Sequence, residues 1–329
     1  MKTLEFTGGA LVILDQTRLP DKEVYLPLTT PDRVREAICA LRVRGAPAIG
    51  VAAAYGLYLG ARALDRLTPE TARGVAERLA SARPTAVNLT WALERMMRAL
   101  EAHPGAPREA LERRLLEEAR AIEAEDKAAC RAIGEHGLSL LRPDMGVLTH
   151  CNAGKLATAG IGTALAPLYL AHEKGYNLRV YADETRPLLQ GARLTVYELA
   201  RAGLDVTLIC DGMAAAMMKA GRIGAVFTGA DRIARNGDAA NKTGTLGLAV
   251  LARHFGVPFY ICAPTSTLDA ACPDGGAIVI EERGAEEVAP RGYGETPVRV
   301  RNPAFDVTDA ALIDAIVTER GILRPPYRL

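Results

Sequence analysis

After Pro143 the sequence alternates short apolar runs with helix-like segments, and this alternation restricts the fold more than any other feature. The runs are Gly146–Thr149, 178–182, Asp205–Ile209, Ala225–Thr228 and 257–262. Their spacing, roughly two to three dozen residues, is typical of β-α units in a parallel sheet. The sequence therefore predicts an α/β protein whose parallel-sheet domain occupies residues 131–329.

The preceding part of the chain begins with strand-like residues and continues as helices. Apolar and polar residues alternate around 11–14 and 24–26, which predicts a β-hairpin or meander. Thr30-Pro31-Asp32 then supplies a helix cap, a proline at the first helical position and an early acid. Helical periodicity persists to about Leu141, with breaks at 44–45, 82–84 and 103–107. We predict a small N-terminal α+β domain over 1–130, with the boundary inside a helix near 126–143.

Composition and charge exclude several classes of function. The 329 residues suit two domains, and a net charge of +1 gives no field for collecting nucleic acid or anionic membrane. Five histidines and six cysteines lack metal-ligand spacing, so neither a zinc site nor an iron–sulfur cluster is expected. The uncharged run 45–61 is rich in glycine and alanine and predicts a buried helix. Six cysteines without a secretion signal predict a cytoplasmic protein.

Polar and reactive residues follow each predicted strand of the parallel sheet. In open α/β sheets ligands bind where the strands end, at their carboxyl edge. Loops are polar in any case, so a site is favoured by the pairing of a thiol with carboxylates and hydroxyls on one rim. The segments after the five strands are Cys151-Asn152, 183–186, 210–212, 229–232 and 264–267.

Cys151 has two interpretations. Cysteine is among the most buried residue types and often packs as a small apolar side chain. Cys151 is also expected at the start of a helix, where backbone N–H groups and the helix dipole lower the pKa of a thiol. Position alone leaves catalysis and packing equally open for it. The other cysteines are predicted to be structural and buried: Cys39, Cys130, Cys210, Cys262 and Cys272.

Three further segments are ambiguous when each is taken alone. Asp231 could act in a site, or it could cap a following helix or pair with Arg232 on the surface. Lys242 lies two residues before Gly244 near a predicted helix start, which suits an anion, although the segment lacks the order of a nucleotide-binding loop. The segment 44–50 combines an arginine with exposed amides and suits a phosphate, but its spacing alone favours a tight turn into a buried helix.

Taken together, six sequence blocks occur in one order and resemble a known family. The blocks are RGAPAIG at 44–50, RPTAVNL at 83–89, THCNAG at 149–154, ETRPLLQGARLT at 184–195, GADRIARNGDAANKTGT at 229–245 and RNPAFDVT at 301–308. This order is similar to that of the methylthioribose-1-phosphate isomerase family, within the superfamily shared with initiation-factor 2B subunits. The resemblance extends over essentially the whole chain.

The resemblance implies a fold, an activity and a set of site residues. The implied fold is a small N-terminal domain followed by a Rossmann-like domain, and the implied assembly is a homodimer. The implied reaction interconverts 5-methylthioribose 1-phosphate and 5-methylthioribulose 1-phosphate in methionine salvage, without metal or cofactor. Cys151 and Asp231 fall on the catalytic pair. The substrate contacts fall on Arg44, Gly45, Ala46, Arg83, Gln190, Asn241 and Lys242.

This reaction makes the residue types understandable. A phosphate on C1 prevents the sugar from opening to a free aldehyde, so an acid must protonate the ring oxygen while a base removes the proton from C2. We expect a protonated Asp231 as the acid and a Cys151 thiolate as the base. Two alternatives are a ribose 1,5-bisphosphate isomerase, which would need a second cationic cluster, and a non-enzymatic initiation-factor-like regulatory subunit, which would need no acid–base pair.

Overall fold

The computed structural model describes residues 1–289, 292, 294, 296–327 and 329. The chain forms two compact units. The first comprises Met1–Arg131 together with Lys155–Gly162, and the second comprises Ala132–Gly154 together with Thr163–Leu329.

The first unit begins with a three-stranded antiparallel sheet in the order β1-β2-β3. The strands are β1 (Leu4–Thr7), β2 (Ala10–Leu14) and β3 (Tyr25–Leu28). Leu11 and Ile13 of β2 are fully buried, so the apolar face of the strand forms part of the core. The predicted meander is confirmed.

Five helices follow, and the predicted breaks at 44–45, 82–84 and 103–107 all separate helices. A further break at residues 64–68 was not predicted. There Thr68 accepts a hydrogen bond from the Thr71 amide and Pro69 starts the next helix, so a cap-and-proline signal ends the earlier periodicity. The helices are α1 (Pro31–Cys39), α2 (Ala46–Ala63), α3 (Pro69–Ala80), α4 (Val87–Glu101) and α5 (Arg108–Leu138).

The helix α2 is buried along most of its length, as its small residues predicted. A Cβ atom on Gly50 would lie 2.9 Å from the Asn88 carbonyl oxygen of α4, so the absence of a side chain lets the two helices approach closely. Along the described residues, the helices do not combine the length and apolar character that crossing a membrane requires.

The second unit is built on a seven-stranded sheet with the order β14-β13-β10-β7-β4-β5-β6. Its neighbouring strands are parallel except for the antiparallel pair β13 and β14. All five predicted strands are present, and the α/β Rossmann-like fold is confirmed. The strands are β4 (Gly146–Thr149), β5 (Arg179–Asp183), β6 (Asp205–Ile209), β7 (Ala225–Thr228), β10 (Phe259–Cys262), β13 (Ala315–Thr318) and β14 (Gly321–Leu323).

Helices lie between the strands of this sheet, and a second, smaller sheet accompanies it. The helices are α6 (Ala166–Glu173), α7 (Val196–Arg201), α8 (Ala214–Lys219), α9 (Thr245–Phe255) and α10 (Ala285–Val288). The small sheet has the order β11-β8-β9-β12 and was not predicted. Its strands β8 (Arg232–Ala234), β9 (Ala239–Lys242), β11 (Leu268–Asp269) and β12 (Phe305–Thr308) are two to four residues long. Unlike the four-residue strands of the large sheet, these strands do not form continuous apolar runs that a sequence pattern could reveal.

Candidate active site

Three of the predicted site residues follow three neighbouring strands of the large sheet. Cys151 comes two residues after β4, Asp231 three residues after β7, and Gln190 lies in the segment that follows β5. Because β4 is paired with β5 on one side and β7 on the other, the segments that carry these residues begin at one edge of the sheet. The second unit therefore gathers the predicted catalytic pair at its carboxyl edge.

The backbone of Cys151 is held at both of its peptide groups. Its N–H donates to the Thr185 hydroxyl at 2.8 Å, and its carbonyl accepts from the Thr195 hydroxyl at 2.6 Å. Cys151 adopts a φ of +60° in a bend, and the next regular element is a short 3₁₀ turn, Lys155–Ala157. The prediction that Cys151 starts a helix is therefore wrong. Its placement comes from strained backbone and two hydroxyl contacts.

The other cysteines divide into two groups. Cys130, Cys262 and Cys272 are buried, as predicted, and burial raises the pKa of Cys130 and Cys262. Cys39 and Cys210 are exposed, which contradicts the prediction. Cys39 ends α1 on its solvent side, and Cys210 follows the edge strand β6. The charge of Glu184 raises the pKa of the Cys210 thiol.

Thr185 ties the Cys151 segment to the end of the neighbouring strands. It is a β-branched residue at φ +63°, a conformation that costs free energy unless the surroundings enforce it. Its amide and that of Arg186 each donate to a different oxygen of Asp211, at 2.7 Å. A π-helical segment, Gly191–Thr195, follows and supplies the Thr195 hydroxyl. Strained residues and π-helical turns are frequent at functional sites.

Asp231 lies in the connection between β7 and β8 and is half-buried. Its backbone N–H donates to the Ala240 carbonyl of β9 at 2.9 Å. Since the next element is a strand, the alternative in which Asp231 caps a helix is wrong. The hairpin of β8 and β9 turns at Gly237, which has a φ of +93°. Asn241 follows Ala240, the residue whose carbonyl accepts the Asp231 amide.

Asn241 and Lys242 end β9. The Asn241 amide donates to the Thr245 hydroxyl at 3.0 Å, and the Lys242 ammonium lies 4.7 Å from the centre of the Phe305 ring. The packing fixes the Lys242 stem while keeping its charge at the end of the strand.

The start of α9 differs from the expected anion-binding terminus. Gly244 has a φ of +109°, and its amide and that of Leu246 donate to the two oxygens of Asp306, at 2.7 and 3.1 Å. The carboxylate of Asp306 therefore occupies the amides that the sequence suggested for a phosphate. Binding of a phosphate by Lys242 stays a prediction that does not involve these amides.

Several buried oxygens of the second unit lack a hydrogen-bond partner among the described residues, and most of them stand at strand ends. Gln190 Oε1 belongs to a predicted substrate contact that is almost fully buried. Buried polar atoms are nearly always paired in folded proteins, so the three atoms at the ends of the neighbouring strands β4, β5 and β7 indicate a place for a polar ligand at the carboxyl edge of the large sheet. The atoms are Gln190 Oε1, Thr149 Oγ1, Asp183 Oδ1, Thr228 Oγ1 and Thr308 Oγ1.

The remaining predicted contacts lie in the first unit. Arg44 is buried and its Nε donates to the Gln16 side chain at 3.1 Å, while Gln16 donates to the Leu156 carbonyl at 2.7 Å. Gly45 has a φ of +94°, and a Cβ atom there would lie 2.6 Å from Ala157, so only glycine fits. Ala46 is the first residue of α2, and half-buried Arg83 lies between α3 and α4.

His150, which follows β4 and precedes Cys151, was not singled out by the sequence, and Asp183, the last residue of β5, was included only as part of a polar segment after a predicted strand. Together with Asp211 they form the group in the described part of the chain whose nitrogen and carboxylate atoms, within 4.8 Å of one another, could hold a metal ion. These atoms already contact protein groups. His150 Nδ1 lies 2.9 Å from Asp183 Oδ2, and both Asp211 oxygens accept backbone amides. The arrangement is a hydrogen-bond network. A histidine and an aspartate at the ends of adjacent predicted strands were the signal that could have revealed it.

A Rossmann-like sheet with a strained cysteine and an aspartate beyond its carboxyl edge, in the same unit as a lysine that ends β9 of the small sheet, defines a class of proteins that act on small anionic molecules. Residues 42–325 match the initiation factor 2 subunit family. The chain belongs to this family, in the branch whose members carry the names of sugar-phosphate isomerases.

The similar proteins cover nearly the whole chain. The methylthioribose-1-phosphate isomerase of Symbiobacterium thermophilum is 61% identical over 98% of this chain and 92% of its own. The 5-deoxyribose 1-phosphate isomerase of Petrotoga mobilis is 56% identical over 97% and 94%. The crystal structure of 5-methylthioribose 1-phosphate isomerase from Pyrococcus horikoshii OT3 has a TM-score of 0.90 at 42% identity, over 99% of this chain and 93% of that chain.

Proposed function

We propose that this chain is an aldose–ketose isomerase that converts 5-methylthioribose 1-phosphate to 5-methylthioribulose 1-phosphate in methionine salvage. The observation that carries the proposal is the 61% identity, over 98% of the chain, with a protein named methylthioribose-1-phosphate isomerase. Cys151 and Asp231 lie beyond the ends of adjacent strands β4 and β7, which supports their assignment as the catalytic pair.

The proposed mechanism moves one proton from C2 to C1 and opens the ring. Asp231 gives a proton to the ring oxygen as the bond from that oxygen to C1 breaks. The Cys151 thiolate removes the C2 proton, which leaves an enol that still carries the phosphate. The thiol then returns this proton to C1 while the C2 hydroxyl proton passes to Asp231, which yields the ketone and restores both groups. Each of these steps uses protein groups alone.

The phosphate needs positive charge and fixed hydrogen-bond donors. We assign this role to Lys242 and Asn241 of β9, with Gln190 as a further contact through its buried amide. Arg44, Gly45, Ala46 and Arg83 are assigned to the substrate by the family resemblance. Charge-assisted hydrogen bonds of lysine and arginine to phosphate are short and strong, and they hold the substrate in one orientation while the protons move.

The name of the Petrotoga mobilis relative, at 56% identity, favours a second candidate substrate, 5-deoxyribose 1-phosphate. The two sugars differ only in the group on C5, and neither carries a charge there. The same acid–base pair would serve both reactions. A ribose 1,5-bisphosphate would place a second phosphate at this position and would require additional cations.

The experiment is a turnover assay of the purified chain with each of the three sugar phosphates. We expect the highest kcat/KM with 5-methylthioribose 1-phosphate and turnover of 5-deoxyribose 1-phosphate. A preference for ribose 1,5-bisphosphate would overturn the substrate assignment. No turnover of any of them, by protein that is folded, would favour the regulatory-subunit alternative.

We also propose a homodimer and a cytoplasmic location. The dimer rests on the family resemblance, and light scattering should give twice the 35.1 kDa of one chain. The location is supported by six free cysteines, two of them exposed, which suit a reducing compartment.

A further inference from the structure

His150 and Asp183 occupy equivalent positions at the ends of two paired strands. Thr149 of β4 is in register with Ala182 of β5, so the next residues, His150 and Asp183, point to the same face of the sheet. His150 Nδ1 lies 2.9 Å from Asp183 Oδ2, and each side chain is 1% exposed. The pair is thus a buried contact created by strand register.

The second ring nitrogen of His150 is also engaged. Its Nε2 lies 2.9 Å from the Thr243 carbonyl oxygen, which can only accept a hydrogen bond. Nε2 must therefore carry a proton. The contact between Nδ1 and Asp183 needs another proton, on either the ring or the carboxyl group. Both hydrogen bonds of the His150 ring form when the pair holds this extra proton. One of the two is lost when the proton leaves.

Charged groups around the pair favour the protonated state. Burial lowers the pKa of His150, but the hydrogen bond and charge of Asp183, the Thr243 carbonyl and the charge of Asp211 raise it overall. Burial raises the pKa of Asp183, the hydrogen bond and charge of His150 lower it, and the charges of Asp211 and Glu184 raise it again, so that it is raised overall. Asp306, on β12, also interacts with the His150 charge.

The Thr243 carbonyl belongs to the turn between Lys242 and the start of α9. His150 packs against this turn. A Cβ atom added to Gly244 would lie only 2.7 Å from the imidazole ring. On the other side, Asp306 accepts the amides of Gly244 and Leu246. The turn is therefore held between a histidine and an aspartate, directly after Asn241 and Lys242.

We propose that His150, oriented by Asp183, is a positioning residue of the isomerase. It precedes Cys151 in the chain and holds the turn that follows Lys242, so one side chain sets the position of two phosphate-binding residues relative to the catalytic thiol. The inference rests on the proposed function for its substrate. His150 acts through the Thr243 carbonyl and has no contact with the reacting atoms.

The kinetic test compares His150→Gln and Asp183→Asn with the control His172→Gln, whose histidine is exposed on α6. We expect His150→Gln to lower kcat/KM about 100-fold, the order that a displacement of about 1 Å can cause. Most of the loss should appear in KM, because the Thr185 and Thr195 contacts still hold Cys151. The control should keep both constants.

The pH dependence supplies a readout that a structural role alone would not change. Wild-type KM should rise as pH increases through the raised pKa of His150, because the pair of His150 and Asp183 loses its extra proton. In His150→Gln this rise should be absent. In Asp183→Asn it should also be absent, because the asparagine amide can donate to a neutral Nδ1 while Nε2 keeps its proton for the Thr243 carbonyl. Circular dichroism on each variant verifies the fold.

A spectroscopic measurement on the wild type needs no variant. In ¹⁵N NMR of histidine-labelled protein, the His150 ring should carry two nitrogen-bound protons at neutral pH and lose one over the pH range in which KM rises. A neutral ring beside an ionised Asp183 carboxyl group at pH 7, the latter followed by ¹³C NMR, or His150→Gln with an unchanged KM and pH profile, overturns the inference. If His150→Gln does not fold, Asp183→Asn and the wild-type NMR titration decide. If the wild type does not isomerise the sugar phosphate, the proposed function fails, and the NMR titration still decides the state of the pair.

Discussion

The thiol of Cys151 belongs to a residue whose backbone leaves little freedom. Its amide and carbonyl are both bound by threonine hydroxyls, and its φ of +60° lies in a region that non-glycine residues seldom adopt. A substitution that preserves the size of the side chain should therefore keep this backbone. The side-chain chemistry can be changed without moving the chain.

Cys151→Ser and Asp231→Asn should each fold and lose activity. Acid–base groups typically contribute about 10²–10⁴-fold, so kcat should fall by at least about 100-fold in either variant. Steady-state kinetics measures the loss, and Cys39→Ser, at an exposed thiol of the first unit, is the matched control. Turnover within about tenfold of wild type, below that range, would remove the residue from the mechanism.

Alkylation tests which thiol serves the reaction. Reactivity follows thiolate content and access. Burial suppresses Cys130 and Cys262, and Glu184 raises the pKa of Cys210. Exposed Cys39 should react freely, so the experiment is best made in a Cys39→Ser background.

In that background, limiting iodoacetamide should label Cys151 first, with activity falling in proportion and substrate slowing both. Peptide mapping by mass spectrometry locates the label. Loss of activity that follows labelling of Cys210 or Cys272 would contradict the assignment.

Lys242→Ala and Arg44→Ala should weaken substrate binding more than they slow the chemistry. Loss of a charge-assisted contact costs about 1.5–3 kcal/mol, equivalent to a rise of about 10- to 150-fold in KM. Lys219→Ala, at the exposed end of α8, is the control. If both variants keep the wild-type KM, the phosphate binds elsewhere.

The candidate site was predictable where sequence order alone places a residue at a strand end. Cys151 and Asp231 follow runs whose length and apolar character already predicted strands. The reason given for the Cys151 placement was wrong, because a φ of +60° and two hydroxyl contacts depend on Thr185 and Thr195, which are more than thirty residues away in the chain. Contacts of this kind arise from tertiary structure and leave no local pattern.

At the scale of elements, the glycine that caps α9 and the glycine inside it have opposite effects on stability. Gly244, at its N-terminus, has a φ of +109° and lies against the His150 ring. Gly247 lies inside the helix with open space where a Cβ atom would be placed. The first is needed for conformation and packing, whereas the second lowers helix stability.

Gly247→Ala should therefore stabilise the protein by up to about 1 kcal/mol, whereas Gly244→Ala should destabilise it by more than about 1 kcal/mol and reduce activity. Chemical denaturation measures both effects with the same added methyl group. Equal effects of the two substitutions would contradict the roles assigned to these glycines.

The elements of the fold were predictable where they carry a continuous apolar run or a helical period. The strands β4, β7 and β10 have only four residues each but are fully buried, and the helices α1 to α5 are long enough to show a period. The small sheet was missed because its strands lack such a run: β8 contains Arg232, and β9 ends in Asn241 and Lys242. Its strands are joined by β12, more than sixty residues later, through pairs such as Lys242 with Phe305. The local sequence does not encode that partner.

At the scale of the whole molecule, two compact units are present, and the division into domains 1–130 and 131–329 stays a prediction. The long helix α5 begins in the first unit and ends in the second. Its residue Asp126 accepts the Ala159 amide at 2.7 Å, within the first unit. Burial raises the pKa of this carboxyl group from 3.8 to about 6.

This shift makes stability depend on pH in a definite direction. A group with a raised pKa in the folded state binds its proton more tightly when folded, so its full contribution to stability is present below pH 3.8 and is lost as pH rises through about 6. At about 1.4 kcal/mol per pKa unit, the ionised carboxyl group costs the fold at most about 3 kcal/mol above that pH. A neutral side chain of the same shape removes this cost.

Asp126→Asn should therefore raise the thermal midpoint of the first unit relative to wild type at pH 8, and the difference should vanish as pH falls below 4. The asparagine carbonyl can still accept the Ala159 amide, so the backbone contact is kept. Calorimetry at several pH values measures the difference, with Asp65→Asn, at an exposed aspartate of the same unit, as control. A stabilisation that is equal at pH 4 and pH 8 would arise from packing and contradict the titration. A loss of stability at pH 8 would show that the Ala159 amide requires the ionised carboxylate and that the hydrogen bond outweighs the burial of the charge.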